Sequence, residues 1–160
     1  MKPYQKNSII AGIILCIAPS FAQASCYTPE QARAEHLLRL HSELMVVATT
    51  CRQGSDGSDL SAAYVSFTRK NLRALRGAEK TMLAYYKYAA SGDPVENLDR
   101  LRTRLGNEAG QTAADMSAPT FCARYRDDIE KFRAATAAAI DKQIQQMAAA
   151  SPSFVKPCGK

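Results

Sequence analysis

Two histidines, five cysteines and a row of arginines and lysines are the side chains of this sequence with chemistry to offer. His36 and His41 lie five residues apart, so on a helix their directions diverge by about 140° and they do not ligate one ion together. His41 and Met45 share a face at i, i+4, which suits a soft metal ion, yet the apolar stripe around His41 reads more simply as core or its boundary. No CxxCH, HExxH or glycine-rich phosphate loop occurs. Asp127, Asp128 and Glu130 fall in the first turns of an expected helix, where the macrodipole favours negative charge without any cation. The expectation is a protein that is not an enzyme, with no catalytic residues, no metal site and no cofactor.

The cations are the most pointed feature. Arg69, Arg73, Arg76, Lys80 and Lys87 stand at offsets of 0, 4, 7, 11 and 18, which places all five within roughly 60° of arc on one helix. Like charges at i, i+4 cost about 0.2 to 0.5 kcal/mol per pair in an isolated helix, and only Glu79 is near enough to offset them. Such a stripe fits an anionic partner: phosphorylated envelope lipids, an acidic polymer or an acidic protein surface. It equally fits a solvated face neutralised by acids of the next helix, such as Glu96 and Asp99. Tyr85, Tyr86 and Tyr88 flank Lys87, and with part of that cluster in the core, Tyr86 and Tyr88 are the expected contact aromatics. Nucleic acid is the least suitable partner, because no recognisable binding fold accompanies the charge.

The compartment follows from the N-terminus and the cysteines. Lys2 and Lys6 precede an apolar run from Ile9 to Ala18 and the segment Ala22-Gln23-Ala24, the pattern of a signal peptide over residues 1–24 with cleavage after Ala24. Gln23 stands where lipidation at Cys26 calls for an apolar residue. No later stretch is long and apolar enough to span a bilayer. Cleavage removes two of 21 cations and none of 15 acids, so the net charge falls from +6 to 19 minus 15, or +4. Residues 25–160 are one domain's worth of chain, at 46% hydrophobic and 22% charged for the whole sequence a composition able to build a core. Cys26, Cys51, Cys122 and Cys158 remain, an even set in a periplasmic or secreted protein, and two disulfides are expected.

Four helices position these groups. Thr28-Pro29-Glu30-Gln31 is a capping-box start, and Ala34, Leu37, His41, Leu44, Ala48 and Cys51 form the stripe of a helix ending near Cys51. A second helix runs from about Asp59 to Ser91 and stops at Gly92, with Leu60, Tyr64, Phe67, Leu75, Ala78, Met82, Tyr85 and Ala89 inward. Asp93-Pro94-Val95-Glu96 caps a third, with Val95, Leu98, Leu101, Leu105 and Ala109 inward, fading near Met116. The fourth carries Cys122, Tyr125, Ile129, Phe132, Thr136, Ile140, Ile144 and Met147 until Pro152.

No segment alternates like a strand, and short links force antiparallel neighbours. The fold class is therefore all-α, an up-down-up-down four-helix bundle. A helix from Cys26 to Cys51 spans about 35 Å, too far for a disulfide, whose Cα atoms lie within about 7 Å. Cys122 and Cys158 fail on reach as well. The expected bridges are Cys26 with Cys158 at one pole and Cys51 with Cys122 at the other.

The run His41-Ser42-Glu43-Leu44-Met45-Val46-Val47-Ala48-Thr49-Thr50-Cys51, with Leu105-Gly106-Asn107-Glu108-Ala109 and Phe121-Cys122, resembles an uncharacterised group of small exported, four-cysteine helical proteins of proteobacteria. The resemblance implies a secreted, disulfide-bonded helical class and brings no activity, cofactor or site residues. The functional expectation is a non-enzymatic exported binding protein that contacts an anionic envelope component through the basic helix face. Two alternatives stand beside it: an inhibitor or chaperone-like protein that docks a Tyr- and Met-bearing surface on another exported protein, and a metal-binding module using His41 and Met45.

Overall fold

The computed structural model describes residues 26–54 and 57–159; the expected signal peptide, residues 1–24 with Cys16, lies outside the described residues. The described residues form six helices and no strand: α1 Pro29–Cys51, α2 Leu60–Lys70, α3 Leu72–Ala89, α4 Pro94–Met116, α5 Ala118–Arg133 and α6 Ala137–Ala150. Helix starts follow local chemistry. Thr28 Oγ1 accepts from the Gln31 N–H while Gln31 Oε1 accepts from the Thr28 N–H, closing the expected capping box. Asp59 and Asp93 cap α2 and α4 through their carboxylates. Gly92 takes φ +89° between α3 and α4, a conformation that only glycine adopts freely.

Six helices stand where four were expected, because two of the expected helices are interrupted. Asn71 separates α2 from α3, its side-chain amide donating to the Phe67 carbonyl at 2.9 Å, an amide competing with the backbone for its own ladder. The Asn71 N–H to Phe67 O bond closes α2, and the Leu75 N–H to Asn71 O bond opens α3. The fourth expected helix breaks over 134–136, where Thr136, expected inside, is exposed and caps α6 by accepting from Ala139 N–H. Val95, also expected inside, is 60% exposed in the first turn of α4.

Helix α1 packs against all five others. The run Ala34–Leu40 is buried without a break, so α1 is enclosed rather than one-sided. Around it Leu60, Phe67, Met82, Leu105 and Ile129 close the core. Tyr27 is buried edge-on against Tyr85 at 4.7 Å. Cys26–Cys158 and Cys51–Cys122 are both disulfide-bonded, with Cα separations of 4.9 and 5.4 Å, as the reach argument expects. The first bridge ties down a C-terminal strap, where Tyr27 N–H donates to Lys156 O and Cys158 N–H to Tyr27 O. No described helix is long and apolar enough to cross a membrane.

Candidate functional site

The five stripe cations all lie on the outer side of α2 and α3, and all are exposed. Arg69 belongs to α2 and Arg73, Arg76, Lys80 and Lys87 to α3. Asn71 divides the row: Arg69 lies in the last turn of α2, while Arg73, Arg76, Lys80 and Lys87 line one side of α3 over about 21 Å. Lys70 adds a sixth cation. The opposite side of the same helices carries Leu60, Ala63, Phe67, Leu75, Ala78 and Met82 into the core, which fixes the cations outward.

Charge pairing distinguishes this face by degree. Seven of the twelve other described cations are in ion pairs: Arg33 with Asp141, Arg39 with Glu35 and Glu108, Arg100 with Glu96, Arg102 with Glu79, Arg104 with Glu108, Lys131 with Asp128 and Arg133 with Glu130. Among the described residues, none of Arg69, Lys70, Arg73, Arg76, Lys80 and Lys87 is in an ion pair. Glu79, the one acid within their stretch, lies 3.5 Å from Arg102 on α4. Glu96, expected to neutralise the stripe, pairs with Arg100 in its own helix instead. An open groove crosses the row between Arg69, Arg73 and Arg76, with Leu72 in its wall.

The tyrosines divide. Tyr85 is buried, and Tyr86 is half-buried against it with ring centroids 5.3 Å apart. Burial raises the phenol pKa of Tyr86, with its hydrogen bond to Tyr27 acting the other way. Tyr88 is 69% exposed, and the Lys87 ammonium lies 5.4 Å from its ring centre. Of the two expected contact aromatics, Tyr88 alone is fully presented.

The two histidines are occupied. Tyr64 Oη and Thr68 Oγ1 lie 2.9 and 3.2 Å from His41 Nε2, and burial followed by the Arg102 charge lowers the His41 pKa. Met45 is 40% exposed beside it. His36 is enclosed, with Ala32 O 2.7 Å from Nδ1 and Ser151 O 3.0 Å from Nε2. Among the described residues, no three His, Cys, Asp or Glu side chains stand together as metal ligands.

Sequence reasoning missed a buried polar cluster on α1. Glu35 is fully buried and accepts from the Phe154 N–H at 3.0 and 3.3 Å, while Arg39 contacts Glu35 at 3.5 Å and also binds Glu108 of α4. The Phe154 ring lies against two guanidiniums, Arg39 at 4.8 Å and Arg104 at 3.5 Å. Beside the cluster is a cavity of about 280 Å³ between α1, α4 and α5, lined by Arg39, Glu43, Leu105, Glu108, Phe121 and Tyr125 among others. Burial pushes the Glu43 carboxyl up to about 7. The legible signal was Glu35 four residues before Arg39, an ion-pair spacing set inside an apolar run.

No protein-family model matches this chain, and no curated protein or solved structure matches it either. The resemblance to small exported helical proteins rests on the run from His41 to Cys51 and its two companion segments alone.

Proposed function

We propose that this protein is an exported, non-enzymatic binding protein whose α2–α3 face holds an anionic component of the cell envelope. The carrying observation is five exposed cations along one side of α2 and α3, with Lys70 beside them, none in an ion pair among the described residues, while seven of the twelve other described cations are paired. An unpaired row repels itself, and an anionic partner relieves that repulsion while releasing counterions. Export is read from the N-terminal pattern of residues 1–24, and two disulfides suit an oxidising compartment. The six helices are read as an up-down-up-down bundle whose second and fourth members are interrupted.

Retention on phosphocellulose tests the proposal. Wild type is expected to elute late in a salt gradient and a variant with Arg69, Arg73, Arg76 and Lys80 all changed to Gln to elute early. Coincident elution would reject the α2–α3 face as the binding surface.

One observation favours a second reading, a protein partner: Tyr88 and Val95 are strongly exposed at the corner where α3 turns into α4. The cations then steer encounter, and added salt slows association more than it loosens the complex.

A further inference from the structure

We infer that the anionic partner of the α2–α3 face is a lipid bilayer surface, with the cations on phosphate headgroups and Val65 and Leu72 entering between them. The inference rests on the proposed binding role of that face and names its partner. Five large apolar side chains are exposed among the described residues: Met45, Val65, Leu72, Tyr88 and Val95. Val65, at 42% exposure, stands four residues before Arg69 on α2, and Leu72, at 41%, four residues before Arg76 on α3, so each lies within about 40° of a stripe cation on its own helix. Two of the five exposed apolar side chains, Val65 and Leu72, therefore border the strip that also carries the unpaired cations, whereas Tyr88 points about 100° away from Lys87 on the other flank.

That combination discriminates among anionic partners. A soluble acidic polymer pairs with cations through its charges and gives aliphatic side chains nothing to enter. A bilayer interface takes both kinds of group: phosphates pair with Lys and Arg at about 1 kcal/mol per cation near the surface, while apolar side chains gain by reaching the acyl boundary. Val65 and Leu72 lie near Arg69 and Arg76 about the junction of α2 and α3, and long basic side chains leave their stems against the acyl boundary with their charges at headgroup level.

The protein contains no tryptophan, so Leu72→Trp places a single environment-sensitive reporter in the strip. Two probes separate the outcomes: vesicles of phosphatidylcholine with about 30% phosphatidylglycerol, and inorganic polyphosphate in solution. The expected result is a blue-shifted, brighter indole emission from the Leu72→Trp variant with the anionic vesicles, and no shift with polyphosphate. A variant carrying Val65→Ser and Leu72→Ser is expected to keep its polyphosphate affinity within about twofold while losing about tenfold or more in vesicle binding. These side chains are exposed, and an unchanged thermal melt confirms that the variant folds. Binding to polyphosphate without binding to vesicles, or vesicle binding unaltered in the double variant, overturns the bilayer while leaving the anion-binding face standing. Binding to neither probe overturns both.

Discussion

Glu79 of α3 faces Arg102 of α4 at 3.5 Å, and this one cross-helix contact turns the only acid of the basic stretch away from its own cations. Exposed ion pairs contribute little to stability, so the contact matters for where charge is presented. Glu79→Gln is expected to change stability by less than about 1 kcal/mol, while tightening polyphosphate binding about twofold at low salt through the removed negative charge. Chemical denaturation and fluorescence anisotropy read the two effects separately. Weaker binding in Glu79→Gln would show that the stripe is not the contact surface.

Glu35 is enclosed by α1's neighbours and holds the strap through the Phe154 N–H. Removing one partner of a buried charged network leaves the other uncompensated. Glu35→Ala is expected to cost about 3 to 5 kcal/mol, and Glu35→Gln less, because its amide oxygen still accepts from Phe154. Urea unfolding decides; a loss below about 0.5 kcal/mol in Glu35→Ala would place the cluster's contribution elsewhere.

The Cys26–Cys158 bridge spans 132 residues of chain and anchors the strap to Tyr27. Changing both cysteines to Ser is expected to cost about 4 kcal/mol on loop-entropy grounds. Amide exchange is expected to rise most at the strap, at Phe154 and at residue 158, with the middle of α1 least altered. Uniform acceleration along the chain would instead mean that the bridge supports the whole core directly.

Burial raises the Glu43 carboxyl from its ordinary value of 4.5 to about 7. The folded state then binds more protons than the unfolded state between those values, so this group's contribution to stability falls as pH rises through that window. The penalty is absent below about 4.5 and complete above about 7. Glu43→Gln is expected to raise stability at pH 8 by about 1 to 3 kcal/mol and to change it little at pH 4. Equal effects at both pH values would mean that Glu43 titrates normally.

Much of the architecture is legible because its signals are local. Thr28, Asp59 and Asp93 stand at helix caps, Pro29 and Pro94 at first helical positions, and Gly92 between α3 and α4. Helix length alone then selects the cysteine pairs. The breaks at Asn71 and Ala134–Thr136 carry no Pro or Gly; they depend on one amide and one hydroxyl bonding the backbone, residue types that also occur inside helices. The enclosure of α1 was hidden for a different reason. Its 3.6-residue periodicity identifies one apolar face, but whether Glu35, His36 and Arg39 meet solvent or Glu108 and Phe154 depends on distant segments. The basic row was legible by spacing, whereas the pairing of Glu79 and Glu96 with other cations was not.

The central claim is that position, not net charge, makes the α2–α3 face the binding surface. The most direct measurement is the salt dependence of polyphosphate binding for three proteins: wild type, the variant with Arg69, Arg73, Arg76 and Lys80 changed to Gln, and a control with Arg33, Arg100, Lys131 and Arg133 changed to Gln. Both variants lose four positive charges, but those of the control come from cations already in ion pairs. The expected result is a wild-type-like salt slope in the control and a slope reduced by about three in the stripe variant. Equal loss in both variants would contradict the claim, since binding would then follow total charge alone.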